Sequence, residues 1–334
     1  MKYIVAFGVL SLLILTGIAG FNYSVDPMCY YHCPEVDLSK RTQNVYYQTA
    51  QTAVANADAE ILILGSSRGE TTPPVWIQEM TGKKTINLSQ AGGDLLLKIA
   101  VLNSTLDKGA KVKTVIWLAD YFELVRSSTD IKVRITPALQ KHLLREGKEN
   151  VLSFYLDHLQ RLIDHNSTEA SLEHLKDRQD SYFPKLGTGG SIDYKSCLSP
   201  DYTSDTAIDV LEKKILSSYG NFSIRMASEQ DEDYWRIFEN QIRILDRQGI
   251  KVLILVPPVH SDFRAKLYKE FPGSKEKTQK WLERMEKLST DNIRVKSFLD
   301  GIPSDDQSPS FWTDGVHMTC KSMMLMLQGT LGDL

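Results

Sequence analysis

Three short apolar runs limit what this 334-residue chain can become. Ile61–Leu64 reads ILIL, Val112–Leu118 reads VKTVIWL and Val252–Val256 reads VLILV. Each is too short for a core helix, and none alternates apolar with polar as a strand with one wet face does. Strands of this kind belong to a parallel sheet covered on both faces. Lys84–Leu88 and Ile293–Leu299 add a second and a fifth strand. Helical segments separate them: Arg41–Ala59, Val75–Met80 and Asp94–Leu106, the last with Leu95, Leu96, Ile99 and Leu102 on one side. Strand alternating with helix predicts a three-layer α/β/α sandwich with a mainly parallel sheet. Apolar residues at 42% and charged residues at 24% suit such a core. The net charge of −3 supplies no basic field, so nucleic acid is not an expected partner.

The alternation stops between about 126 and 249, which reads as a helical insertion over the sheet. Leu152, Leu156, Leu159 and Ile163 mark one amphipathic helix there, and Tyr234, Phe238, Ile242 and Leu245 mark another. Between them the stretch FPKLGTGGSIDYKSCLSPDYTSD has no periodicity.

The N-terminus follows a different rule. Tyr3–Phe21 carries no charge, and at ~1.5 Å per residue it nearly spans a ~30 Å hydrocarbon core. Lys2 precedes it, while Asp26, Glu35 and Asp37 come before the next cation, Lys40. That asymmetry predicts a cytoplasmic N-terminus and an extracytoplasmic body, periplasmic or at the cell surface. Length favours an uncleaved anchor over residues 1–22; a cleaved signal peptide and a secreted body are the alternative. Residues 23–40 form a connector, and 41–334 the α/β domain. Within the connector, Cys29 and Cys33 are a disulfide candidate, a pairing export permits. A metal site of Cys29, His32 and Cys33 would need a fourth ligand that the sequence does not offer. Cys197 and Cys320 are not paired by inspection.

Three segments fall at strand ends, where open parallel sheets place their sites. Gly65-Ser66-Ser67-Arg68 follows the first strand. Asn87-Leu88-Ser89-Gln90-Ala91-Gly92-Gly93 follows the second, and Asp314-Gly315-Val316-His317 lies in the last loop. A serine nucleophile needs a base, an acid that orients the base, and N–H groups for the oxyanion. Singly, each segment has a plain reading: an N-cap serine, a turn, a capping aspartate.

Their joint order resembles the SGNH (GDSL-type) hydrolase superfamily. In that family Gly-Asp-Ser follows the first strand, so the nucleophile maps to Ser67. The Asn-x-Gly-x-x-Gly block maps loosely to Asn87, Ser89 and Gly92, with Gly92 as oxyanion donor beside the Ser67 N–H and Gly93 as its rival. The Asp-x-x-His block maps to Asp314 and His317. A third block, Gly-x-Asn-Asp, has no match: the position after strand three reads Ala119-Asp120-Tyr121, without asparagine. With the membrane segment and Asp26-Pro27, the chain is similar to membrane-anchored bacterial members. Among these are proteins of lipoteichoic-acid D-alanylation and exopolysaccharide O-acetylation.

The resemblance implies a Ser67–His317–Asp314 esterase or O-acyltransferase acting on an acyl ester or cell-envelope glycan, with no cofactor and no metal. It also implies an alternative: a non-catalytic scaffold assisting a membrane-bound acyltransferase. Arg68, Asn87, Asp120, Tyr121 and His260 are candidate substrate-binding residues.

Overall fold

A computed structural model describes residues 2–125, 133, 135–142, 151–176, 208–302 and 311–333. The chain opens with helix α1 (Lys2–Val25). The body begins with α2 (Val45–Ala55), β1 (Ile61–Leu64), α3 (Pro74–Thr81), β2 (Thr85–Asn87), α4 (Leu95–Asp107) and β3 (Thr114–Leu118). Then come the short α5 (Pro137–Gln140), α6 (Val151–Ile163), α7 (His165–Lys176), α8 (Ile208–Ala227) and α9 (Glu232–Arg247). The chain finishes with β4 (Lys251–Val256), α10 (Ser261–Glu270), α11 (Ser274–Glu286), β5 (Ile293–Ser297) and α12 (Cys320–Gln328).

Among the described residues five strands form one sheet in the order 2-1-3-4-5, with every pairing parallel. This is the flavodoxin-like doubly wound order, whose switch point lies between β1 and β3. The apolar runs explain the layering. Leu62 and Leu64 point into one core with Tyr47 of α2, Ile99 of α4, Phe238 of α9 and Trp281 of α11. Ile61 and Ile63 point into the other, with Ile77 of α3, Phe263 of α10 and Met323 of α12. Adjacent residues of a strand face opposite ways, so an unbroken run such as ILIL needs two cores. The fold is therefore the α/β/α sandwich that the strand pattern predicts.

One element departs from its expected grouping. Glu232–Arg247, grouped with the insertion by sequence, is a layer helix: Tyr234, Trp235, Phe238, Ile242 and Leu245 are all buried in the first core. The helices standing apart from the sandwich among the described residues are α6 and α7, which contact each other and α1. Residues 183–205, including Cys197, lie outside the described residues.

α1 is long and apolar enough to cross a membrane, a property it shares with signal sequences. It joins the body at its last turn. Asn22 Nδ2 donates to the Leu162 carbonyl at 2.8 Å and to Thr168 Oγ1 at 2.9 Å. Just beyond, Asp26 accepts the N–H groups of Tyr30 and His32 at 2.8 Å and of Tyr31 at 3.0 Å. It thereby shapes the short loop that the Cys29–Cys33 disulfide closes. Cys320 is also disulfide-bonded.

Candidate active site

The site forms where β1, β2 and the loop before α12 converge. β1 runs into Gly65, and a 3₁₀ turn over Ser67–Gly69 follows, with Ser66 as its cap: Ser66 Oγ accepts the Arg68 N–H at 3.3 Å. Glycine is required in this turn by close approach. A Cβ on Gly65 would stand 2.6 Å from Ser89 Oγ, and one on Gly69 would collide with the same atom. The two turns after β1 and β2 are thus packed face to face. Gln90 N–H donates to the Gly65 carbonyl at 3.2 Å, and Ala91 N–H donates to Glu70 Oε1 at 2.6 Å.

Ser67 Oγ lies 2.9 Å from His317 Nε2, and His317 Nδ1 lies 2.7 Å from Asp314 Oδ2. The other oxygen, Asp314 Oδ1, accepts the Val316 and His317 N–H groups, each at 2.8 Å. Burial alone would raise the Asp314 pKa. The His317 hydrogen bond and charge, with the two N–H groups, outweigh it and hold the carboxyl below its ordinary 3.8. An ionised Asp314 fixes the proton on Nδ1, which leaves Nε2 as acceptor for the Ser67 hydroxyl.

The loop carrying Asp314 and His317 is held carbonyl by carbonyl. Gly315 O accepts from His260 N–H at 3.0 Å, and Val316 O from Arg68 Nε at 3.0 Å. His317 O accepts from Thr313 N–H at 2.9 Å, and Met318 O from Thr71 Oγ1 at 3.1 Å. α8 closes the loop from outside: a Cβ on Gly315 would meet the Ile215 backbone at 3.3 Å. A loop bonded from this many directions holds the His317 ring in one orientation.

Neither the Ser67 nor the Gly92 N–H donates to another backbone group among the described residues. Gly92 has φ of +69°, a left-handed conformation that glycine adopts freely. Gly93, the rival donor, is corrected: its N–H donates to the Gln90 carbonyl at 2.7 Å.

The five candidate substrate-binding residues are all buried. Asn87 Nδ2 donates to the Gly69 and Thr72 carbonyls, each at 2.9 Å, and Asn87 Oδ1 accepts the Ser89 N–H. Tyr121 donates its hydroxyl to the Ser228 carbonyl at 3.2 Å. His260 caps α10 through Nδ1 and sets its ring against Trp312. Arg68 and Asp120, 5% and 1% exposed, form a buried ion pair. The Arg68 guanidinium also donates to the carbonyls of Pro257 and Pro258, and Asp120 Oδ2 accepts the Ser66 hydroxyl at 2.6 Å.

A second buried ion pair, Lys98 with Glu123, continues this network. Lys98 Nζ donates to the Leu118 carbonyl at 2.8 Å, while Glu123 accepts from Trp117 Nε1 at 3.2 Å and from Asp120 N–H at 3.3 Å. Burial pulls the Lys98 ammonium down to about 7, against the nearby charges of Asp120 and Asp94. Sequence reasoning missed the pair. Its signal is a lone lysine inside LLLKIAVL, with an Asp-x-x-Glu capping box closing β3. Among the described residues no His, Cys, Asp or Glu cluster could hold a metal ion.

No family model and no curated protein matches the chain. A solved structure from Streptococcus pneumonia, provisionally described as a platelet activating factor, is similar at 14% identity, with a TM-score of 0.38. It covers 86% of this chain and 92% of its own. A likeness of that size leaves the functional reading to the geometry.

Proposed function

We propose that this chain is a membrane-anchored extracytoplasmic serine esterase or O-acyltransferase acting on an acylated cell-envelope glycan or a related ester. The observation that carries the reading is the hydrogen-bonded series Ser67–His317–Asp314, at 2.9 and 2.7 Å. His317 Nε2 takes the Ser67 proton as Oγ attacks the ester carbonyl. The Ser67 and Gly92 N–H groups receive the developing oxyanion. His317 then protonates the departing alkoxide, and an acyl-Ser67 ester remains. Water or a sugar hydroxyl, deprotonated by His317, attacks that ester and frees Ser67. The exposed apolar helix α1 supports anchoring, and Lys2 at its start supports a cytoplasmic N-terminus.

The test is acetate release from an acetyl ester by the full chain in detergent, with and without a glycan acceptor. The reading predicts that Ser67→Ala and His317→Gln each abolish release, and that an O-acetylated acceptor forms if transfer is the reaction. Release unchanged by Ser67→Ala would sink it.

One observation favours a second reading. The position after β3 supplies Asp120, ion-paired and buried, in place of an amide donor to the oxyanion. A non-catalytic scaffold serving a membrane acyltransferase would tolerate this; it predicts no acyl-enzyme on Ser67 and retention of the chain on that partner.

A further inference from the structure

We propose that α6 lies on the membrane surface, its apolar side in the lipid headgroup and acyl boundary, as a second bilayer contact beside α1. The proposal rests on α1 being the anchor, not on catalysis by Ser67.

The amphipathicity of α6 is inverted. Tyr155, Leu156, Leu159 and Ile163 share one side of the helix and are between 47% and 61% exposed. The polar residues turn the other way. Arg161 pairs with Asp164 at 3.5 Å, His158 packs on the Tyr31 ring, and the Tyr31 hydroxyl donates to the His158 carbonyl at 2.9 Å. A helix on a water-soluble body buries its apolar stripe and exposes its charges. A contiguous exposed apolar patch marks an interaction surface.

Position names the occupant. α1 contacts both α6 and α7. It is exposed over most of its length and loses exposure mainly in its last two turns, where Ile18, Ala19, Phe21 and Asn22 meet the body. The Leu162 carbonyl is bonded to Asn22, so Leu159 and Ile163 lie within one helical turn of the level where α1 leaves the bilayer. Exposed Tyr23 stands at the same level, where tyrosines favour the interface. A cavity of about 330 Å³ opens beside it, lined by Ser24, Asp26, His32, Lys40, Arg41 and, from α7, His174. Lys40 and Arg41 line that cavity with the end of α1, a level at which cations suit anionic headgroups.

The test uses the full chain in phosphatidylcholine–phosphatidylglycerol vesicles. Among the described residues no cysteine is free, so Leu159→Cys gives one thiol for an NBD fluorophore. Leu156→Cys repeats the reading on the same side, Leu12→Cys reports on α1, and Lys280→Cys is the control on exposed α11. Lipids with a doxyl quencher near the headgroup should quench the Leu159 and Leu156 probes several-fold more than the Lys280 probe. A deep doxyl should act most on Leu12. Probes at 159 and 156 quenched no more than at Lys280 overturn the proposal. If they are also blue-shifted, a second copy covers the face instead. A Leu12 probe untouched by either quencher removes the anchor and the proposal with it. None of these outcomes alters what acetate release says about Ser67.

Discussion

Ser67 and His317 are 250 residues apart in the chain, and what joins them is mostly buried polar contact. Arg68 is the link. It follows Ser67, holds the Val316 carbonyl beside His317, and pairs with Asp120. Removing it strands a buried carboxylate, so Arg68→Met should destabilise the fold by about 3–5 kcal/mol, measured by chemical denaturation. Asp314→Asn should cut any Ser67-dependent turnover by about 10⁴, through the wrong imidazole tautomer. A pH effect follows from the same carboxyl. Its folded pKa lies below 3.8, so its stabilising share is present above that value and is lost as pH falls through the lower one. Acid unfolding of Asp314→Asn should lack that share, and the acid limb of an activity profile should not belong to Asp314. The pairing of Ser67 with Asp314 and His317 was legible in the sequence because each sits at the end of an element with a local signature. The burial of Arg68, Asp120 and His260 was not legible. Their residue types suit a surface site equally well, and only long-range partners reveal them as buried supports.

At the scale of elements, the strands were the most legible part. Four-residue apolar runs such as ILIL, bounded by turn residues, suit strands of a sheet covered on both faces. Ends were less so: Val112–Leu118 begins as strand only at Thr114. α9 was assigned to the insertion because its stripe of Tyr234, Phe238, Ile242 and Leu245 is the same whether it packs on a sheet or on other helices. Periodicity gives a face, not its neighbour. The Lys98–Glu123 pair joins α4 to the turn after β3. Lys98→Met should cost about 3–5 kcal/mol by leaving Glu123 unpaired in the core. Adding Glu123→Gln, which keeps an acceptor for Trp117, should recover most of that loss in the same denaturation assay.

Across the whole molecule, one apolar helix, one short disulfide loop and an inverted amphipathic helix meet at a single place. Asp26 and the Cys29–Cys33 bridge set the direction in which the chain leaves α1. Closing a loop of this size should contribute about 2 kcal/mol on the chain-entropy account. The Cys29→Ser, Cys33→Ser double variant should lose that stability and leave the triad geometry intact, read by retained active-site labelling. The sheet then presents Ser67 at its carboxyl edge, where the strand order reverses.

The most direct test is labelling of the full chain in detergent with a fluorophosphonate, followed by mass mapping of the adduct. The account predicts an adduct on Ser67, absent in Ser67→Ala, greatly slowed in His317→Gln and still formed in Ser66→Ala. A folded wild type that takes no adduct, or an adduct that persists in Ser67→Ala, would contradict it.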